Sequence, residues 1–346
     1  MTLAVRPPLE PMLARAADDI PVGREWRYEP KWDGFRVIVF RDGDDVVLGS
    51  RKGQPLQRFF PEILEPLRAT LPAQAVADGE IIIATSRGLD FDALQMRLHP
   101  AASRVARLAA ETPATVILFD LLADGDQDLR GEPLVTRRER LLGAVTGNAR
   151  VALTPQTADH DEAAEWFTRY EGAGLDGLIA KPEESTYRSG ERGWTKIKHL
   201  RTVDCVVGGY RMEVKGGGVG SLLLGLYDEE GVLHHAGHTS SFSAQEKRDL
   251  LTLLAPLEGG DSFGHGRTPG APSRWSRDKD AAWTPLTPSL VCEVSFDHLQ
   301  GQRFRHAARF LRWRDDRDPL TCTYAQLTPA DAFRLADIVT LPDAGP

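Results

Sequence analysis

The alternation of apolar and polar positions predicts mixed strands and helices over the first 200 residues. Short apolar runs bounded by turn residues are typical of strands, and they occur at 37–40, 46–50, 75–84, 115–122, 175–181 and 194–198. Apolar residues three and four positions apart predict helices at 61–71, 91–98, 135–145 and 161–170. An Asp42-Gly43 pair after the first run predicts the hairpin turn that joins it to the second.

The pattern changes after His199. Short β-like runs then dominate, at 205–210, 221–227, 231–238 and 290–296, and a helical pattern covers 244–254. Short strands separated by glycine turns predict a small barrel. We therefore expect two domains, 1–200 and 201–346, with a long mobile loop near 259–285, where Gly, Pro, Ser and charged residues are concentrated.

Composition limits the classes of function. The chain has 346 residues and a net charge of −8, which argues against a general affinity for polyanions. Its three cysteines are isolated, so the pattern supports neither a disulfide framework nor a zinc site. The first eight residues lack an apolar signal core and no apolar run is long enough to span a bilayer, so we expect a cytoplasmic protein without membrane contact.

Lys31 is the candidate nucleophile. It lies in the stretch Glu29-Pro30-Lys31-Trp32-Asp33-Gly34-Phe35-Arg36, directly before the first predicted strand. A desolvated lysine near other cations has a lowered pKa and becomes a nucleophilic free amine. The ordinary alternative is a surface lysine that precedes a strand.

Further stretches carry compatible chemistry, namely Ser50-Arg51-Lys52-Gly53, Asp78-Gly79-Glu80, 176–181 and 194–198. Because side chains alternate along a strand, Lys196 and Lys198 are expected on one face. Carboxylates for a metal or a ribose, cations for phosphates, and an aromatic plane at Phe119 suit nucleotidyl transfer, in which positioning does most of the catalytic work. Each stretch alone has an ordinary explanation as a solvated face or a core residue, but their joint occurrence favours the functional interpretation.

These stretches resemble the ordered motifs of the covalent nucleotidyltransferases, which comprise DNA ligases, RNA ligases and mRNA capping enzymes. The matches are Lys31-x-Asp33-Gly34-x-Arg36 to motif I, 50–53 to motif Ia, 78–80 to motif III, 119–122 to motif IIIa, 176–181 to motif IV, Lys196-x-Lys198 to motif V, and 314–317 to motif VI. The chain length and the segment 304–314 are most similar to the bacterial ATP-dependent Ligase C group. The ligase domain of bacterial Ligase D is a near neighbour.

The resemblance implies a covalent mechanism with ATP as nucleotide donor. Lys31 would attack the α-phosphate and carry AMP as a phosphoramidate. AMP would then pass to the 5′-phosphate of a DNA nick, and the 3′-hydroxyl would displace it. Mg²⁺, with Mn²⁺ as the alternative, would be held by Asp176 and Glu80.

Other roles implied by the resemblance concern binding of ATP or AMP. Glu29 would line the adenine pocket, Phe119 and Ile179 would lie on either side of the base, and Glu80 would hold the ribose. The remaining contacts would come from Arg36 and Arg51 at the ribose and the nick 5′-phosphate, Lys196 and Lys198 at the α-phosphate, and Asp316 and Arg317 at pyrophosphate. Two positions depart from many relatives, since Asp176 stands where Glu is common and Arg317 where Lys is common.

The implied fold is an α+β nucleotidyltransferase (adenylation) domain with antiparallel sheets, followed by an all-β OB-fold domain that carries motif VI. The implied partner is nicked duplex DNA, bound by a nucleoid-associated monomer mainly through phosphate contacts. DNA contacts are expected from Arg51, Arg303, Arg305 and Arg309. Candidate protein partners are repair proteins, such as a Ku-like or primase-polymerase partner.

Two alternatives stay open at this point. The first is an RNA ligase or a capping-type nucleotidyltransferase, which would differ in the nucleotide found on Lys31 or in the strand joined. The second is a catalytically silent OB-containing DNA-binding protein, which would have no need for Lys31 and the paired motif V lysines.

Overall fold

The structure of the protein is a computed structural model, and it describes residues 2–85, 88–169, 175–199, 201–214, 217–264, 282–297, 299–327, 338 and 339. Two compact units divide the chain. The first comprises residues 1–199 together with Ile338 and Val339, and the second spans Leu200–Thr328. The sequence-based limits, 1–200 and 201–346, differ from this division near the C-terminus because Ile338 and Val339 pack against Trp32 and Leu175.

The first unit contains strands and helices in alternation. Its strands are β1 (Leu13–Ala17), β2 (Trp26–Pro30), β3 (Phe35–Asp42), β4 (Asp45–Ser50), β5 (Gln74–Ile82), β6 (Ala84–Thr85), β7 (Gly88–Leu89), β8 (Thr115–Asp124), β9 (Gln127–Asp128), β10 (Val151–Leu153), β11 (Gly177–Pro182) and β12 (Arg192–Lys198). Its helices are α1 (Leu64–Thr70), α2 (Phe91–Met96), α3 (Ala102–Glu111), α4 (Leu134–Ala144) and α5 (His160–Arg169).

One sheet of the first unit has the strand order β1-β12-β11-β2. In its register, Glu29 lies opposite Ile179, and Ile179 lies opposite Lys196. These residues therefore share one face of the sheet. The other face carries Tyr28 and Leu178, among others, which form a buried cluster with Ala163 of α5 and so are covered by that helix.

A second sheet has the order β10-β8-β5-β3-β4, with β9 paired on β8. A buried cluster joins it to the first sheet, since the cluster contains Ile38 of β3, Phe119 of β8 and Trp194 of β12. The opposite face of the second sheet packs against helices through Leu67 and Leu141. The two sheets thus enclose an apolar layer, and the polar ends of their strands flank it.

The six predicted strands and four predicted helices of the first unit are present, whereas strands β1, β2, β7, β9 and β10 were not predicted. The Asp42–Asp45 pairing confirms the predicted hairpin turn between β3 and β4. Helix α3 was not predicted either, although Val105 and Leu108 are three positions apart and both are buried. Strand β1 pairs with β12, and this pairing and that of β10 with β8 are parallel rather than antiparallel.

The second unit is built mainly from strands. They are β13 (Arg201–Met212), β14 (Val219–Tyr227), β15 (Leu233–Thr239), β16 (Thr284–Pro285), β17 (Val291–Phe296), β18 (Leu299–Gln300), β19 (Arg303–Phe304) and β20 (Arg309–Trp313), and helix α6 (Ala244–Leu254) lies between β15 and β16. The sheet order is β15-β14-β13-β17-β20. A bridge between Thr239 and Ala308 joins the two ends of this order, as closure of a barrel requires.

Helix α6 has the limits that the sequence predicts. Ser243 and Glu246 form a capping box at its start, and Leu250 and Leu254 pack into the barrel core beside Leu222. Of the predicted mobile loop at 259–285, residues 265–281 lie outside the described part of the chain. No helix in the described part of the chain is long and apolar enough to cross a membrane.

Candidate active site

Lys31 follows the last residue of β2 and is tied to the start of β11. Its backbone N–H donates to Gly177 O at 2.8 Å, and its carbonyl accepts from Asp176 N at 3.0 Å. Its Nζ forms an ion pair with Asp176 Oδ2. Gly177 has a φ of 127° and a Cβ there would lie 2.0 Å from Ile197 O, so this close approach of the strands requires glycine.

Further cations surround this ion pair. Lys198 Nζ lies 3.1 Å from Asp176 Oδ2. Burial lowers the pKa of Lys196, and the charges of Lys198, Lys31 and Arg51 lower it further, while Asp176 acts in the opposite direction. The structure therefore brings together the predicted nucleophile, both motif V lysines and Arg51. A concentration of positive charge around one carboxylate is suited to binding phosphate groups.

Glu80 is the second carboxylate near Lys31. Burial raises its pKa to about 7, although the charges of Arg36 and Lys31 partly offset that rise. Gly34 allows the motif I loop to lie against β5, because a Cβ on it would lie 2.2 Å from Ile81 O. Glu80 is thus held close to the candidate nucleophile, with a carboxyl group that titrates near neutral pH.

Arg36 forms contacts within the protein that the sequence did not predict. Its Nε and Nη2 each lie 2.6 Å from an oxygen of Asp78, and Nη2 also donates to Met12 O at 3.3 Å. Asp78 is fully buried and accepts a further hydrogen bond from Tyr187 Oη at 2.6 Å. The predicted contact of Arg36 with ribose and the nick phosphate stays a prediction, and the guanidinium already has a buried partner.

Phe119 and Ile179 belong to the same apolar layer, as their predicted roles beside one base require. Phe119 meets Trp194 edge to face, with ring centroids 6.1 Å apart. The Arg36 guanidinium carbon lies 4.5 Å from the centre of the Phe119 ring. This aromatic pair lies in the apolar layer between the two sheets.

Glu29 is buried at 2% exposure and has two polar partners. Gln156 Nε2 donates to its Oε1 at 2.7 Å, and Lys181 Nζ lies 2.6 Å from its Oε2. Neither Gln156 nor Lys181 was assigned a role from the sequence. Lys181 lies within the motif IV stretch, but Gln156 follows β10 in a segment without any motif.

The carboxylates near Lys31 are suited to bind a divalent metal that takes some of its ligands from the substrate. Among the described residues, no three His, Cys, Asp or Glu side chains come together as a complete metal site. Mg²⁺ is usually bound by one or two carboxylates plus phosphate oxygens and water. Asp176 and Glu80 both lie next to Lys31, so they could supply the protein ligands of such an ion.

Motif VI lies in the second unit and is paired there. Arg314 Nη1 donates to both oxygens of Asp204, at 2.9 and 3.0 Å, and the Arg314 Nε and Nη2 atoms bind Asp316 at 2.8 and 2.9 Å. Arg317 Nε lies 3.4 Å from Asp204 Oδ2. Asp204 was not identified from the sequence, because no local pattern marks a strand residue that contacts a segment 110 positions later.

The predicted DNA-binding arginines differ in exposure. Arg51 and Arg309 are exposed, whereas Arg303 and Arg305 are partly buried. Arg303 and Arg309 lie on β19 and β20 of the second unit. Arg51 lies at the first unit's cation cluster, since its charge acts on Lys196.

Comparison with known families identifies the family of the chain. The family model for the ATP dependent DNA ligase domain matches residues 11–198, and that for the ATP dependent DNA ligase C terminal region matches residues 215–317. This chain belongs to the ATP-dependent DNA ligase family. It is therefore a ligase that uses ATP and a divalent metal, and it has the predicted nucleotidyltransferase and OB-fold architecture.

Individual relatives agree with this assignment. The ligase is 51% identical to DNA ligase C of Mycobacterium tuberculosis, over 98% of this chain and 99% of the relative. It is 48% identical to DNA ligase C1 of Mycolicibacterium smegmatis, over 98% and 99% of the two chains. A solved Lig E DNA ligase structure, 20% identical and with a TM-score of 0.53, covers 88% of this chain and 99% of its own and supports the fold. The resemblance to the bacterial Ligase C group is confirmed.

Proposed function

We propose that the ligase seals nicks in duplex DNA through a lysyl-AMP on Lys31 and a DNA-adenylate. In the first step the neutral Lys31 amine attacks the α-phosphorus of ATP. A bond forms between the amine nitrogen and the α-phosphorus, and the bond between the α-phosphorus and the oxygen that bridges to the β-phosphate breaks. Pyrophosphate leaves with the electron pair of that bond, and the amine proton goes to water. The position of the Lys31 amine within a cluster of cations is the observation that carries this proposal.

The remaining groups of the first unit bind and orient the nucleotide. Lys196, Lys198 and Arg51 neutralise phosphate charge, and their proximity to the amine supports this role. Asp176 and Glu80 would hold Mg²⁺ or Mn²⁺, which supplies further neutralisation of phosphate charge. The ribose lies at Glu80.

The base occupies the apolar layer beside Phe119 and Ile179, with Glu29 at its edge. The shared cluster of Phe119 and Ile179 supports this position. AMP then passes to the nick 5′-phosphate, for which Arg51 and Arg36 are the candidate contacts, and displacement by the 3′-hydroxyl seals the strand.

In this proposal, residues of the second unit contact both the nucleotide and the DNA. Asp316 and Arg317 contact pyrophosphate during self-adenylation, and Arg303, Arg305 and Arg309 bind DNA phosphates. We propose a monomer that acts in DNA repair at the nucleoid, with a Ku-like or primase-polymerase protein as candidate partner. The similarity to DNA ligase C supports the general role.

The test is covalent labelling of the full-length protein by α-³²P-ATP, with Mg²⁺ and with Mn²⁺, followed by sealing of a nicked duplex. Lys31→Ala and Lys31→Arg should both lose labelling, because arginine is not deprotonated in proteins and cannot serve as the amine. Lys247→Ala is the matched control, because Lys247 also pairs with a carboxylate, that of Glu213 in the second unit. Strong labelling of either Lys31 variant would remove Lys31 from the proposed role.

A further inference from the structure

The buried ion pair between Glu29 and Lys181 is not explained by phosphate chemistry. Lys181 is 1% exposed, and its Nζ lies 2.6 Å from Glu29 Oε2. The two residues lie on neighbouring strands and on the sheet face that carries Ile179 and Lys196. The pair therefore lies on the same surface as the candidate nucleotide site, beside the proposed position of the base.

Stability alone does not account for this pair. Two apolar side chains of similar volume would fill such a space with equal or greater stability, because an ion pair loses its hydration on burial. The Lys181 Nζ also lies 4.5 Å from the Phe119 ring centre and 4.3 Å from that of Trp194. A cation held between a carboxylate and two aromatic rings fixes both the charge and the orientation of that carboxylate.

Gln156 fixes the second oxygen of the same carboxylate. Its Nε2 donates to Glu29 Oε1 at 2.7 Å. The segment that carries it is anchored at Thr154, whose hydroxyl accepts from Trp32 Nε1 at 2.9 Å and whose carbonyl accepts from Arg138 Nη2 at 2.5 Å. Both oxygens of Glu29 are thus held in place, and each keeps capacity for one more donor, since a carboxylate has about four acceptor sites.

An ionised carboxylate accepts hydrogen bonds and donates none. The adenine of ATP carries one N–H donor group, its 6-amino group, whereas a 6-oxo purine has a carbonyl acceptor at that position and carries its N–H donor on the neighbouring ring nitrogen, N1. We propose that Lys181 is a positioning residue that keeps Glu29 ionised and oriented, so that the site selects 6-amino over 6-oxo purine nucleotides. This inference rests on the proposed function, which puts the nucleotide base at Glu29.

Loss of the ammonium changes what Glu29 presents to the base. A buried carboxylate without a cation takes up a proton, because burial disfavours the charged form. The resulting carboxylic acid can donate to the oxygen of a 6-oxo purine, whereas the ionised form cannot. Removal of Lys181 should therefore weaken use of ATP and improve use of inosine triphosphate, which differs from ATP in its 6-oxo group and in the proton on N1.

The experiment measures the rate of covalent labelling of the full-length protein against the concentration of α-³²P-ATP or α-³²P-inosine triphosphate. The variants are Lys181→Met, Lys181→Arg and Glu29→Gln, together with the double variant Lys181→Met/Glu29→Gln. Lys247→Met is the control for removal of a lysine paired with glutamate, since Lys247 pairs with Glu213. Thermal unfolding of each variant reports whether it is folded.

In Lys181→Met, the preference for ATP over inosine triphosphate should fall by about tenfold to a hundredfold, the range for loss of a hydrogen bond to a charged group. The fall should appear in the half-saturating concentration, with the rate at saturating ATP near that of the parent. Lys181→Arg should restore part of the preference. Lys247→Met should leave it unchanged.

The double variant separates a positioning role from an independent one. Because Lys181 is proposed to act through Glu29, the double variant should show the same preference as Glu29→Gln alone. If Lys181→Met does not fold, the double variant, which buries no unpaired charge, and Gln156→Leu carry the test. Gln156→Leu should also lower the preference, since it frees one oxygen of Glu29.

Three results would overturn the inference, and two others would instead overturn the proposed function. An unchanged preference in folded Lys181→Met, an unchanged preference in Gln156→Leu, or an additive effect in the double variant would make Lys181 a structural residue. Absence of ATP labelling in the parent protein, or labelling at a residue other than Lys31, would refute the function whatever the nucleotide preference.

Discussion

Replacement of Arg36 separates two roles that sequence and structure give to this residue. The motif predicts a contact with ribose and the nick phosphate, but the guanidinium forms a two-point ion pair with Asp78, with both distances 2.6 Å. Asp78 is fully buried. In Arg36→Ala, Asp78 would keep only the hydroxyl donor of Tyr187, and a buried charge would lose its counter-charge.

The magnitude follows from the burial of the carboxylate. Removal of one partner of a buried ion pair costs about 3–5 kcal/mol, because the other charge stays buried without compensation. For a unit of this size, each kcal/mol lowers the unfolding midpoint by about 2–4 °C, so the expected decrease is about 6–20 °C. Arg36→Lys should fall between the parent and Arg36→Ala, since lysine keeps the charge but cannot form the planar two-point contact.

The assay is thermal unfolding of the full-length protein, followed by circular dichroism. Arg107→Ala is the matched control, because Arg107 is 65% exposed and its pairing with Glu111 should contribute less than about 1 kcal/mol. A variant in which Arg36 and Asp78 are replaced together, by Met and Asn, should recover part of the lost stability, since no unpaired charge is then buried.

Covalent labelling of the same variants by ATP can show that the structural role given to Arg36 is wrong. Labelling by α-³²P-ATP is measured well below the unfolding midpoint of each variant, so that the folded fraction is equal. If Arg36→Ala lowers the midpoint by less than about 2 °C and still abolishes labelling, the guanidinium acts on the nucleotide and the ion pair with Asp78 is not what holds the site.

Two further predictions concern pH and salt. Burial raises the pKa of Glu80 in the folded protein to about 7, from 4.5 in the unfolded chain. The protonated carboxyl group therefore makes its full contribution to the free energy of unfolding below pH 4.5, and this contribution is lost as the pH rises through 7. Glu80→Gln should therefore raise the unfolding midpoint relative to the parent at pH 8 but not at pH 4, and equal effects at both pH values would contradict the shift. Arg305→Ala and Arg309→Ala should each flatten the slope of log affinity for nicked duplex against log salt by about one unit at most, without loss of ATP labelling. Arg107→Ala should leave that slope unchanged, and an unchanged slope in both variants of the second unit would move the DNA contact elsewhere.

Local patterns were sufficient to predict the parts of the site that lie on one strand. Alternation along 194–198 predicted that Lys196 and Lys198 share a face, and the pairing of Ile179 with Lys196 and of Gly177 with Lys198 confirms it. The spacing of apolar residues likewise predicted α6 at its observed limits. In both cases the deciding contacts involve residues that are close in sequence.

The contacts that hold the site together could not be predicted in this way. Glu29 meets Lys181 because β2 pairs with β11, and Gln156 reaches the same carboxylate from a loop 127 residues away. The partner of Arg36 is set by the register of β3 on β5, in which Arg36 lies opposite Glu80 and Ile38 opposite Asp78. Such pairings depend on strand order and register over long separations, for which the chain carries no local signal.

Motif VI shows how burial decides which charged groups are available for chemistry. Arg314 is 17% exposed and binds Asp204, which is 10% exposed, so replacing that contact would leave a shielded carboxylate without its partner. Asp316 is 67% exposed and Arg317 is 38% exposed, and exposed ion pairs contribute little because water solvates both charges. Loss of its present ion pair therefore costs little for Arg317, which we propose contacts pyrophosphate. Asp316 is an anion like pyrophosphate and could contact it only through a cation. The same loss for Arg314 would leave the shielded Asp204 carboxylate without its closest partner, so we expect Arg314 to have a structural role in the second unit.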